Sequence, residues 1–174
     1  MKKFLMLLCF LPIAAYAQQN KFEYEFDHEK PWVELQTQLP AYPILDDPEN
    51  LLQFDAGPAS TNLHYVDAPS ITVGEDGVIR FTLVIKSPQG AMNLSYEGIR
   101  CQTAEKRTYA FGRGDKTWAR ARISKWVDLE TLAQNYAQQA LARYFFCPDV
   151  RMVRDPEEAI DALKAGIHPR AVRY

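Results

Sequence analysis

The densest set of side chains able to handle a polar ligand is Tyr96-Glu97-Gly98-Ile99-Arg100-Cys101, followed by Glu105, Arg107, Tyr109 and Trp118. A carboxylate and an arginine on neighbouring strands can recognise a polar group, and the rings beside them supply a flat surface for it. The candidate ligand-binding residues are therefore Glu97, Arg100, Arg107, Tyr109 and Trp118. A purely structural reading competes, because sheets use cross-strand ion pairs and aromatic pairs to hold themselves together. Alternation puts Tyr96, Gly98 and Arg100 on one face and Glu97, Ile99 and Cys101 on the other, so whichever face turns inward must give a charge a partner or a cleft.

Other chemistry is thin. The three histidines, His28, His64 and His168, lie in separate segments and read as surface or lightly buried residues, so no metal site and no cofactor are expected. Glu75-Asp76-Gly77 lacks the ligand spacing of a calcium loop and reads as hairpin turn chemistry. In Gly112-Arg113-Gly114-Asp115-Lys116-Thr117 an aspartate replaces the glycine that should precede the lysine of a phosphate loop. Asn93-Leu94-Ser95 is a glycosylation sequon in form only. Neither a Ser-His-Asp set nor a glycine-rich nucleotide fingerprint competes with the first cluster.

The elements that must position that cluster are strands first and helices afterwards. Ser70–Val73 reads as a short strand, Gly74-Glu75-Asp76-Gly77 as a turn and Val78–Lys86 as the return strand. Ile79, Phe81, Leu83 and Ile85 alternate there with Arg80, Thr82, Val84 and Lys86, one buried face and one wetter face. Met92–Thr103 and Glu105–Phe111 continue the meander, and Trp118–Trp126 is open between a further strand and an irregular segment. From Leu129 to Phe145 the period shifts to that of a helix, with Asp128 as its cap and Cys147-Pro148 as its end. Asp155, Pro156, Glu158 and Gly166 are the start and stop signals of a shorter second helix. The fold class is α+β, an antiparallel β-meander with one long C-terminal helix packed on a face and a second short helix.

The N-terminus reads as a leader. Lys2 and Lys3 precede an apolar run from Phe4 to Ala15, and Ala15-Tyr16-Ala17 fits the small-x-small rule for cleavage after Ala17. The run is too short for a transmembrane anchor, and Cys9 sits too early for a lipid anchor. The organisation is thus 1–17 signal peptide, 18–57 a lead segment rich in proline and aromatics, and 58–174 a single α+β domain. Trp32, Leu35, Leu39, Tyr42, Ile44, Leu51, Leu52 and Phe54 are too many apolar side chains for a disordered tail, so the lead segment is expected to wrap the domain.

Cleavage leaves 18 Lys plus Arg against 22 Asp plus Glu, which argues against nucleic acid as a partner. It also leaves two cysteines, Cys101 and Cys147, and an even count in an oxidising compartment reads as one disulfide. Buried free thiols or a redox pair are the alternatives. A bridge closing so long a loop would contribute on the order of 4 kcal/mol.

Six motifs in order, Lys30-Pro31-Trp32, Leu39-Pro40-x-Tyr42-Pro43, Gly74-Glu75-Asp76-Gly77-Val78, Tyr96-Glu97-Gly98-Ile99-Arg100-Cys101, Tyr109-Ala110-Phe111-Gly112 and Tyr144-Phe145-Phe146-Cys147-Pro148, resemble the cryptic neisserial protein-like family. That resemblance runs through most of the chain beyond the leader. It implies an exported protein of a Gram-negative envelope and brings no catalytic residues with it. The functional expectation is a periplasmic, non-enzymatic protein that binds a small polar ligand or serves other envelope proteins, using the face around Glu97, Arg100 and Trp118. The alternative is a hydrolase of an envelope polymer, peptidoglycan or glycan, with Glu97 or Glu105 as general acid.

Overall fold

The alternating run from Val78 to Lys86 forms the strand β3 (Val78–Lys86), but its second face is not wet: Thr82 and Val84 are as buried as Phe81 and Leu83. A computed structural model, describing residues 31–171 apart from Ala59 and Leu132, shows what covers both faces. The leader Met1–Ala17 and His28 lie outside the described residues. The chain divides into two compact units, Met1–Trp32 and Val33–Tyr174, and every element below belongs to the second.

The sheet is α+β in setting and antiparallel throughout, in the order β1 (Leu51–Phe54), β2 (Leu63–Val73), β3, β4 (Met92–Arg100), β5 (Glu105–Gly112) and β6 (Trp118–Arg120). The open stretch Trp118–Trp126 is a short edge strand, β6, followed by an irregular segment, and a two-residue strand just past it, β7 (Val127–Asp128), pairs with Glu105 and Lys106 of β5. β2 is longer than the expected Ser70–Val73. Its register jumps between Asp67 and Thr72, and the residues between them form a bulge that accommodates Pro69, which has no N–H to give a ladder. Ser70 repairs the gap: its hydroxyl accepts from Thr82 N at 2.8 Å and donates to Asp67 O at 2.6 Å.

One face of the sheet carries the main core, where Leu52, Phe54, Val66, Phe81, Leu83 and Ile99 meet the helices. The expected long helix is replaced by 14 helical residues of mixed pitch: a tight turn Ala133–Asn135, then α1 (Tyr136–Leu141), then a wide π turn Ala142–Phe146. Its start moves because Asp128 is in β7, where its carboxylate accepts from Glu130 N at 2.6 Å, while Leu129 N bonds Ala104 O. The wide turn closes on a Cys147 N to Ala142 O bond of 2.8 Å. The extra residue lets two consecutive aromatics reach the core, Phe145 against Phe54 at 5.8 Å and Phe146 against Phe81 at 5.1 Å between centroids. Cys101, just past β4, and Cys147, at the end of this turn, form the disulfide, with Cα atoms 5.5 Å apart.

The second helix, α2 (Pro156–Lys164), follows its signals: Asp155 accepts from Glu158 N at 2.8 Å, Pro156 opens the first turn, and Gly166 takes a φ of 76° past the end. Glu158 also accepts from Arg154 N at 2.7 Å, and from His168 Nε2 and Arg170 Nη2, both at 3.1 Å. His168 is buried rather than superficial, and since its Nδ1 accepts from Arg170 N, its Nε2 carries the proton. His64 is buried too, between Phe54 and Tyr136, and burial pulls its pKa down.

The Arg154 N–H, then His168 and the Arg154 side chain, hold the Glu158 carboxyl at about 2, against an ordinary 4.5. A depressed carboxyl contributes stability above its unfolded value and loses it as pH falls toward the folded one. Stability measured by urea unfolding should therefore decline between pH 4.5 and 2, and Glu158→Gln should flatten that part of the profile while lowering stability at pH 7.

Candidate functional site

The residues singled out from the sequence separate into three places. Arg107, Tyr109 and Trp118 lie on the sheet face opposite the helices, and residues 33–43 cross that face as a strap. The hub is Glu34, a residue with no sequence signal beyond its acidity. Its carboxylate accepts from Arg107 Nη1, from Tyr109 OH at 2.7 Å and from Trp126 Nε1 at 3.1 Å, with Arg80 Nη2 at 3.7 Å. Arg80 in turn donates to Asp76 Oδ2 at 2.6 Å and to Thr37 Oγ1 at 2.9 Å, and Leu35 N donates to Asp76 at 2.9 Å. Burial alone would raise Asp76, yet Arg80 and the N–H groups of Leu35 and Val78 outweigh it and hold the carboxyl below its ordinary value. Burial, then the bond to Glu34, pushes the Tyr109 phenol upward.

Farther along the strap, Leu39 packs on Tyr96 and Tyr109, Trp118 Nε1 donates to Pro40 O at 3.0 Å, and the Tyr42 ring lies 5.3 Å from that of Trp118. Gly98 permits this packing, since a Cβ there would stand 2.6 Å from the Tyr109 hydroxyl. Leu35 and Ile44, by contrast, stay 51% and 63% exposed and do not dock. The charges and rings of this face thus engage the chain's own strap.

Glu97 points the other way, into the helix layer. It accepts from Ser95 Oγ at 2.7 Å and from Gln138 Nε2 at 2.8 Å, with Lys106 Nζ at 3.8 Å. Glu105 pairs in register with Arg100 and therefore faces away from Lys106 and Glu97. The two carboxylates weighed for hydrolysis stand on opposite faces of the sheet, and Glu97, Arg100 and Trp118 do not share one.

Arg100 reaches a third place, a groove of about 490 Å³ along the flank of the mixed helix. Tyr136, Gln139, Arg143 and Tyr144 form one wall at helical spacing, Ile99, Arg100 and Ala104 with Leu129 and Glu130 complete the lining, and both cysteines of the disulfide border it. Sequence reasoning missed Arg143 and Tyr144 as site residues. Of the four described non-glycine residues with positive φ, three line this groove: Ala104 at 53°, Asp149 at 55° and Val150 at 61°. For β-branched Val150 that conformation is strongly disfavoured, and it remains 75% exposed, so no burial of its side chain offsets the strain. The Arg143 side chain makes no hydrogen bond or ion pair among the described residues, whereas Arg100 bonds Gln102 at 3.3 Å. Chemically the groove offers the Arg143 guanidinium, the rings of Tyr136 and Tyr144, the carboxylates of Glu130 and Asp149 and an apolar lining. That is a setting for binding a small polar molecule.

Among the described residues no group of three His, Cys, Asp or Glu side chains is placed to hold a metal ion, and no helix is long and apolar enough to cross a membrane. The family model described as the CNP1-like family matches residues 27–164. That span takes in the strap, the whole sheet, the groove and α2. No curated protein and no solved structure matches the chain.

Proposed function

The chain belongs to the CNP1-like family, and we propose that this member is an exported, non-enzymatic protein of the bacterial envelope that binds a small polar ligand in the groove beside Cys101–Cys147. The observation that carries the reading is the convergence, around one cavity, of three left-handed non-glycine residues, a π turn and an arginine with no partner among the described residues. Backbone strain of this kind persists where surrounding structure enforces it, and it clusters at binding sites. The leader at Met1–Ala17 and the disulfide both fit a periplasmic setting, where thiols are kept oxidised.

The cavity has the volume of a small-molecule site, and Arg143 supplies the contact for a carboxylate or phosphate on the ligand. A thermal-shift screen with short peptides, organic acids and sugar phosphates checks this. A ligand held at about a hundred times its Kd adds about 2.7 kcal/mol, hence a rise of several degrees. At least one compound should produce that rise in the native chain and less than a quarter of it in Arg143→Glu. Equal shifts in both proteins, or none across the panel, would count against the groove.

A further inference from the structure

We propose that the sheet edge from Arg113 to Lys125 is a docking surface for an anionic lipid bilayer, its cations meeting headgroup phosphates while Ile123 enters the headgroup layer. This surface is separate from the groove, and neither reading depends on the other.

The first observation is charge. Residues 113–125 hold five basic side chains, Arg113, Lys116, Arg120, Arg122 and Lys125, against the single acid Asp115, in a chain whose formal charge is −2. All five are exposed. Lys116, Arg120, Arg122 and Lys125 form no side-chain hydrogen bond or ion pair among the described residues. Asp115 stays ionised, its carboxylate accepting from Thr117 Oγ1 at 2.6 Å and Thr117 N at 3.1 Å, and it offsets one of the five cations, so the segment carries four net positive charges.

The second observation is placement. β6 pairs with Ala110 to Gly112, Ala121 N bonds Tyr109 O, Ser124 Oγ bonds Thr108 O, and β7 pairs with Glu105 and Lys106. The segment therefore runs along β5 as the border of the sheet, and the cations are spread along a backbone that is tied down. Like charges set on a fixed edge and outnumbering the one acid among them repel one another, and a surface of opposite sign relieves that repulsion.

The third observation selects the partner. Ile123 is 79% exposed in the bend between Arg122 and Lys125, and Phe111 on the adjoining strand is 51% exposed. Apolar side chains flanked by cations suit the boundary between headgroups and acyl chains. A single-stranded nucleic acid would need several open rings to stack on, and the indoles of this edge are committed: Trp118 Nε1 bonds Pro40 O and Trp126 Nε1 bonds Glu34.

Each cation near an anionic bilayer contributes about 1 kcal/mol at low salt, so removing three should weaken binding about a hundredfold. The test is co-sedimentation of protein purified from an exporting host with vesicles of one part phosphatidylglycerol to two of phosphatidylcholine, beside vesicles of phosphatidylcholine alone. The native chain should pellet with the mixed vesicles only, and less so as salt is raised. The triple variant Arg120→Gln/Arg122→Gln/Lys125→Gln should lose about two orders of magnitude in partition. Ile123→Ser should lose several-fold with its salt dependence kept, and Lys164→Gln, on α2, should match the native chain. Tryptophan emission of each variant reports whether the strap is still docked. Equal pelleting with both vesicles, undiminished binding by the triple variant, or equal competition by a short oligonucleotide would each overturn the proposal.

Discussion

Replacing Arg80 with methionine lowers the free energy of unfolding by about 3–5 kcal/mol, the cost of leaving buried carboxylates without their cation. Arg80 sits almost wholly inside, between Asp76 and Glu34, and also lies over the Tyr109 ring at 5.9 Å. The Asp76 side chain is only 1% exposed, so water cannot take over the role of the guanidinium. The strap should then loosen, because Leu35 O and Thr37 Oγ1 lose their donor. Urea unfolding gives the energy, and the emission of Trp118 and Trp126, both bonded to strap residues, reports the loosening. Arg80→Lys should recover part of the loss, since a lysine keeps the charge and lacks the fork that serves Asp76, Thr37 and Leu35 together. A double variant Asp76→Asn/Arg80→Met should cost less than the two single changes added. A loss below about 1 kcal/mol for Arg80→Met would mean that the cluster is solvated and the strap is held by its apolar contacts alone.

The second large effect is at the disulfide. Cys101→Ser/Cys147→Ser should cost about 4 kcal/mol through the loop of 46 residues that the bridge closes, and lower the thermal midpoint on the order of 10 °C. The same change loosens the junction of β4 with the wide helical turn, where the groove has its floor. Ligand-induced thermal shifts should therefore shrink in the double serine variant even at temperatures where it is folded. In Arg80→Met they should persist, because the strap lies on the other face of the sheet. This contrast separates damage to the site from damage to the fold. Equal loss of ligand response in both variants would leave the groove with no special tie to the bridge.

What could be read from the residues was mostly local. The hairpin at Gly74-Glu75-Asp76-Gly77 announces itself by turn residues between β-branched runs, and α2 by Asp155, Pro156, Glu158 and Gly166. The pairing of Cys101 with Cys147 follows from there being two cysteines once the leader is set aside. The apolar stripe of the mixed helix implies one pitch, whereas Phe145 and Phe146 both turn inward only when the last turn widens. The length of β2 is hidden because a bulge at Pro69 looks in sequence like the end of a strand.

The candidate site was less legible still. Alternation placed Glu97 and Arg100 on opposite faces of β4 correctly, but which face a strap of residues 33–43 would cover depends on contacts more than 70 residues apart, such as Glu34 with Arg107. The groove is harder yet, since its defining features are the positive φ angles of Ala104, Asp149 and Val150, and of these only aspartate is a type that adopts such a conformation readily. Only the run Cys147-Pro148 hinted that the chain breaks there.

Native mass spectrometry of the protein, purified without denaturation, is the direct test of a ligand in the groove. The native protein should carry a non-covalent adduct small enough for a cavity of about 490 Å³, released by mild activation and missing from Arg143→Glu prepared in parallel. An adduct of the same mass on both proteins, or the bare chain mass for the native protein under every purification, would contradict it.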